Sequence, residues 1–254
     1  MPNQADSVRL WYPGKNAYFG TGRLSDPVNY YGPRLGFADG LSGNPDTFAA
    51  WGWWDATALG LGNGDAVTAL NDTSGNSRNL SNSGAVTYVT GIQNSLGGIN
   101  IDASRYMTLG AAGPAQPYTV MWIGKRVADA TGGPWADGAG TPPQGDFTTS
   151  AVTGAAGATL SATLSTFGAD DTDVHLFMWE FNGASSKLYL DAETAVATGN
   201  MGTTAFAADL RFGHSSSNDI YMQEAAIWAA VLTTSQITAL ATYVENKYAF
   251  SIGA

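Results

Sequence analysis

The sequence predicts an all-β fold: a two-sheet antiparallel jelly-roll sandwich over residues 51–254, preceded by an extended N-terminal arm (residues 1–50) and closed by a short C-terminal helix. Three observations carry this prediction. From Trp51 onward, short β-branched and aromatic runs alternate with turn clusters at roughly ten-residue spacing, the pattern of sandwiches and jelly rolls. Apolar residues make up 44% of the chain and charged ones 13%, so a sizeable core can be buried. Glycine (32) and proline (10) are abundant enough to turn the chain many times.

The arm is rich in Pro, Gly, Asn and aromatic residues, and no helical or strand period persists in it. Proline fixes φ and removes ladder donors, so the arm reads as extended chain with turns. Its rings, Trp11, Tyr12, Tyr18, Phe19, Tyr30 and Tyr31, are costly to leave in water. They fold back on their own sandwich, reach a neighbouring subunit, or form an aromatic ligand surface.

Strands are expected at 85–89, 98–101, 106–109, 118–127, 159–165, 174–181, 187–190, 209–213 and 220–228. Asn63-Gly64-Asp65, Ser74-Gly75-Asn76 and residues 215–218 are turns, and Asn182-Gly183 marks a hairpin. The segment from Gly132-Gly133-Pro134-Trp135 through Pro142-Pro143 to Gly145 reads as a long surface loop. The small residues of 148–166 allow a flat strand whose neighbours approach closely. After Thr233 and Thr234, the residues Ile237, Leu240, Ala241, Val244 and Tyr248 form a helical stripe, with a hydroxyl placed to cap the free amides.

Net charge is −10, from 11 basic and 21 acidic residues, which argues against sequence-independent nucleic-acid binding. The longest apolar run, residues 225–232, is too short to span a membrane. The opening MPNQADSVRL lacks the apolar stretch of a secretory signal. Zero cysteines exclude disulfides and thiolate metal sites.

Few residues suggest chemistry. Asp170, Asp171 and Asp173 form the densest carboxylate cluster and could hold Ca²⁺, although no Gly-centred twelve-residue loop accompanies them and a solvated acidic loop is the favoured reading. Asp72 and Asp102 are further rim carboxylates able to meet an ion. His175 and His214 read as turn or surface histidines, since no G-x-S-x-G elbow accompanies them. No phosphate-binding glycine motif precedes a helix. Trp135, with Asp137 beside it, is the best sugar-stacking candidate; the alternative is an indole that anchors its loop to the core. Glu224, flanked by apolar residues, needs a partner if buried, and the C-terminal segment or a nearby turn can supply one.

The run Trp54-Asp55-Ala56, Leu59, Gly64-Asp65, Val67, Asp72, Ser74-Gly75-Asn76 resembles the opening of concanavalin A-like (laminin-G-like) jelly-roll domains of bacterial and phage proteins. Later parts resemble the same group: Gly98 to Asp102, Tyr106 to Leu109, Lys187 to Asp191, and Arg211-Phe212-Gly213. The ending also fits, from Met222-Gln223-Glu224-Ala225-Ala226-Ile227-Trp228 to Lys247-Tyr248. Ala192 and Gln223 depart from it, standing where glycines are usual. Glycoside hydrolases that share this sandwich carry carboxylates at alternate strand positions. None of Glu180, Glu193, Glu224 and Glu245 has an acidic residue two positions on, so such an enzyme is not expected.

The resemblance and the missing leader together imply a non-enzymatic phage virion surface protein, a capsid decoration (cement) or tail-associated subunit. Its partners would be capsid or tail proteins and copies of itself, and no cofactor is expected beyond the Ca²⁺ considered above. The alternative is a lectin-like carbohydrate-binding adhesin module that meets cell-surface glycans.

Overall fold

A computed structural model of the chain describes residues 43–102, 105–127, 132–138, 141–147, 151–163, 173–213 and 219–253. The arm aromatics Trp11, Tyr12, Tyr18, Phe19, Tyr30 and Tyr31 lie outside the described residues, as do Asp170, Asp171 and His214.

In chain order the first strands are β1 (Gly52–Asp55), β2 (Ala69–Leu70), β3 (Leu80–Ser83), β4 (Thr87–Gln93), β5 (Leu96–Asp102), β6 (Tyr106–Thr108), β7 (Tyr118–Arg126) and β8 (Gly132–Asp137). They are followed by β9 (Thr141–Phe147), β10 (Ala151–Ala155), β11 (Thr159–Thr163), β12 (His175–Phe181), β13 (Ser186–Leu190), β14 (Ala197–Gly199), β15 (Leu210–Phe212), β16 (Asp219–Trp228) and the helix α1 (Thr234–Tyr248). The back sheet has the order β14-β13-β12-β7-β16-β5-β4, with β1 also paired to β16. The front sheet has the order β11-β10-β9-β8-β15-β6-β3-β2. All these ladders are antiparallel, so the expected jelly-roll sandwich is the fold.

The back sheet is covered on both faces, which explains its continuous apolar strands. In β7, Val120 and Trp122 point into the space between the sheets, while Met121 and Ile123 point towards α1. Trp54 fills the inter-sheet core, whereas Trp228 lies under the helix, and its Nε1 donates to the Pro45 carbonyl at 3.2 Å. The helix forms as expected: Thr233 and Gln236 make a reciprocal capping box, and Ile237, Leu240, Ala241, Val244 and Tyr248 are the buried face. Residues 43–50, assigned above to the arm, pack on this same layer through Ala50 and Phe48.

The expected surface loop from Gly132 to Gly145 is a correction: residues 132–137 and 141–147 are β8 and β9, central strands of the front sheet, whereas the flat strand allowed within 148–166 is β10 and β11. Pro142 and Pro143 are tolerated because β10 pairs β9 only from Gln144 onward, leaving the proline end of β9 with no ladder on that side. The glycines have a packing role. Phe212, Trp135, Gly145, Gly154 and Leu160 form one inward-facing row across the sheet. A Cβ on Gly145 would sit 2.3 Å from Trp135 Nε1 and 2.7 Å from the Trp179 ring, so the absent side chains make room for two indoles.

The two departures from the family pattern are also accounted for. The left-handed residue of the turn after β13 is Asp191 (φ 45°), a residue type that tolerates it, so position 192 needs no glycine. Gln223 is the extra residue of a bulge in β16, between Met222 and Glu224, where the partner strand changes from β5 to β1.

Candidate functional site

Trp135 and Asp137 are not a sugar-binding platform. Trp135 is fully buried, with Tyr118, Trp179, Phe181 and Phe206 around its ring, so neither face can meet a ligand. Asp137 is buried as well, and its carboxylate accepts the amides of Ala207 (2.6 Å) and Ala208 (2.9 Å). The core-anchoring alternative describes this tryptophan. Asp173 is an exposed residue, and among the described residues no group of three or more His, Asp or Glu side chains is placed to hold a metal ion. His175 meets the Asp191 carboxylate, whose other oxygen accepts the Leu176 amide at 2.7 Å, a staple between β12 and the end of β13.

Asp72, a candidate ion ligand, is spent on the backbone. One carboxylate oxygen accepts the amides of Trp53 (3.0 Å) and Ser74 (2.9 Å), and the other accepts that of Arg78 (2.9 Å). Burial pushes this carboxyl up, but the hydrogen bonds from Ser74, Trp53 and Arg78 outweigh it and hold the pKa below its ordinary value of 3.8. The result is a rigid 72–78 loop pinned to β1, with Gly75 (φ 80°) and Ser77 (φ 60°) in the left-handed region. Two further bonds fasten it: Thr73 N–H donates to the Trp53 carbonyl, and Trp54 Nε1 donates to that of Arg78.

Asp72→Ala is therefore expected to cost about 1–2 kcal/mol and to loosen the 72–78 loop, as followed by amide exchange. The sign in pH follows from the lowered pKa. Stability from Asp72 is present above pH 3.8 and is lost as the pH falls through the folded value, so the variant's melting temperature should fall less steeply below pH 3.8 than the parent's. Parallel acid limbs for the two proteins would contradict this role.

What the loop presents is an open depression of about 410 Å³, lined by Asp46, Ala49, Ala50, Trp51, Ser74, Asn76, Arg78 and Ala229. The Arg78 guanidinium lies 4.1 Å over the Trp51 ring and donates one bond, at 2.5 Å, to the Trp51 carbonyl. Asn76 spends its amide hydrogens on the Ala50 carbonyl and Ser74 Oγ, at 2.9 and 3.0 Å. Asp46 is exposed at the rim, on a single 3₁₀ turn (Pro45–Phe48) capped by Asn44. The depression thus combines a cation stacked on an indole, an exposed carboxylate and a fixed carboxamide. Sequence reasoning did not reach these residues. Trp51 fell on the assumed boundary of the arm, and Ser74-Gly75-Asn76 was legible only as a turn.

A second polar centre is closed. Glu224, fully buried, accepts from Trp53 Nε1 (2.7 Å), Tyr243 Oη (3.0 Å), Lys247 Nζ (2.7 Å) and Tyr248 Oη (2.6 Å). Lys247 also bonds Asp55 at 2.7 Å, so one ammonium sits between the two carboxylates that face each other across β1 and β16. Burial pushes the Glu224 carboxyl above its ordinary range, against the opposing pull of Lys247. The partner expected for Glu224 in the C-terminal segment is therefore α1.

The chain matches no protein-family model and no curated protein. It is similar to several solved structures. One is domain 4 of AbnA, a GH43 extracellular arabinanase from Geobacillus stearothermophilus, in complex with arabinotriose (TM-score 0.53, 14% identity, 75% of this chain and 97% of that one). Another is the binding domain of Paraclostridial mosquitocidal protein 1 (TM-score 0.52, 12% identity, 71% and 51%). A third is Trypanosoma rangeli sialidase in complex with sialic acid (TM-score 0.51, 10% identity, 82% and 34%). The chain spans nearly all of the arabinanase domain but about a third of the sialidase. At these identities the likeness is one of fold.

Proposed function

We propose that this chain is a non-catalytic, lectin-like carbohydrate-binding module, and that its site is the depression at Trp51 and Arg78. The observation that carries the reading is the preorganised loop. Asp72 fixes it before any ligand arrives, so little ordering entropy is lost on binding. Asp46 and the Asn76 carbonyl oxygen can accept from sugar hydroxyls, and the remaining Arg78 donors can bond to them. Arg78 and Trp51, packed against each other on the rim, offer cationic and aromatic surface for a sugar ring to lie against. Fold likeness to an arabinanase domain bound to arabinotriose supports the same class of ligand.

Binding without turnover is favoured by the Glu224 centre. Its facing carboxylates share a lysine, and Glu224 has no exposed surface from which to reach a substrate. The reading of a virion surface subunit, with capsid or tail partners, rests on the sequence resemblance, and no feature of the described residues favours it.

A glycan array on the purified chain tests the proposal. Binding to at least one glycan class is expected, and Arg78→Ala and Asp46→Ala should each weaken it by roughly tenfold or more, about 1.4 kcal/mol. Melting temperatures should stay close to the parent's. An empty array, or binding indifferent to both substitutions, overturns the assignment.

A further inference from the structure

We propose that the sandwich edge built by β11 and β14 pairs two copies of this chain, with β11 lying antiparallel to its copy about a two-fold axis at Ser161 and the two front sheets becoming one. This is independent of the sugar site.

Exposed sheet edges invite pairing unless they are short, bulged, charged or covered. Three of the four edges here are protected in those ways. β2 has two residues and β14 has three. β4 breaks register between Val89 and Gln93, with Gly91 at φ 68°. Its outer edge is covered by residues 63–66: Gly64 N–H donates to the Tyr88 carbonyl and Tyr88 N–H to that of Asp65, both at 2.8 Å.

Among the described residues, β11 has none of these protections. Its five residues, Thr159-Leu160-Ser161-Ala162-Thr163, pair with β10 in unbroken register and include no charge and no proline. It ends the front sheet, and nothing among the described residues pairs with its outer edge. Thr159, Ser161 and Thr163 are exposed.

The surroundings fit the same use. β14 lies alongside, and the Leu160 side chain reaches to 2.9 Å of where a Cβ on Gly199 would stand. Val196, at the start of β14, is the exposed large hydrophobic residue of the described chain, 37% accessible. The sequence carries no charge between Asp146 and Asp170, nor between Glu193 and Asp209. A chain of net charge −10 repels its own copies over most of its surface, and this uncharged edge is where two can approach. The two-fold axis sets Thr159 against Thr163 and Leu160 against Ala162. All five positions then meet an uncharged partner.

Sedimentation of the full chain over a wide concentration range should show a dimer. Ser161→Lys combined with Thr163→Lys, both at exposed positions, should leave a folded monomer whose melting temperature does not depend on protein concentration. The chain has no cysteine, so Ser161→Cys introduces a single thiol, which should form a disulfide-linked dimer on mild oxidation. Thr90→Cys, on the covered β4 edge, should not. A monomer at all concentrations, a dimer indifferent to the lysines, or equal cross-linking at both cysteines would overturn the proposal.

Discussion

Replacing Glu224 by Ala is expected to lower stability by about 3–5 kcal/mol, a fall in melting temperature on the order of 10 °C for a domain of this size. The magnitude comes from what remains behind. Lys247 keeps Asp55 but loses its fully buried partner, while the Tyr248 hydroxyl and the Trp53 indole N–H lose the carboxylate that accepts from both. Tyr248 is fully buried, and burial first, then the Glu224 charge, keeps its hydroxyl protonated, so it must donate somewhere. Glu224→Gln mimics the neutral carboxyl. Burial raises the Glu224 pKa, so the carboxyl's contribution is full below the ordinary value of 4.5 and shrinks as pH rises, and Gln still keeps an acceptor oxygen among these donors. Gln should therefore cost clearly less than Ala at neutral pH. Thermal melts of both variants decide. An Ala variant within about 1 kcal/mol of the parent would mean that the Glu224 centre does not hold α1 to the sheet.

Trp135→Ala should be as damaging, at about 3–5 kcal/mol, and damaging in a different manner. The ring is enclosed by Tyr118, Trp179, Phe181 and Phe206, and Gly145 and Gly154 leave no side chain that could move into the vacated space. A cavity must open between the sheets, and its cost appears as lost melting temperature and weakened near-UV dichroism. Sugar affinity of the fraction that stays folded should be unchanged, because the Trp51 depression belongs to a separate loop. A variant of normal stability that loses sugar binding would return Trp135 to the binding site and contradict the placement described above.

These residues also show what the sequence could and could not convey. Helix α1 was legible in full, from its Thr233 cap to Tyr248, because capping and a 3.6-residue stripe are local signals. Strands β7, β12 and β16 were legible because coverage on both faces makes them continuous apolar runs. β8 and β9 read as a loop because Gly and Pro dominate them locally. The glycines there serve Trp135 and Trp179, and Trp179 comes from β12 on the opposite sheet, a relation that no window of sequence contains. The candidate site was hidden for a related reason. Trp51 and Arg78 meet because one carboxylate, Asp72, gathers amides from β1 and from the following loop, whereas an isolated Asp in a turn suggests an ion ligand. Glu224 was recognisable as a buried acid needing a partner, since its apolar flanks said so. Which partner it finds depends on how α1 packs.

The most direct test of the account is a crystal structure of the chain soaked with the glycan it binds most tightly on the array. The account predicts an intact sugar ring against the Arg78–Trp51 stack, with Asp46 and Asn76 on its hydroxyls and no bond cleaved. A ring bound away from that depression, or a cleaved product held at Asp55 and Glu224, would contradict it.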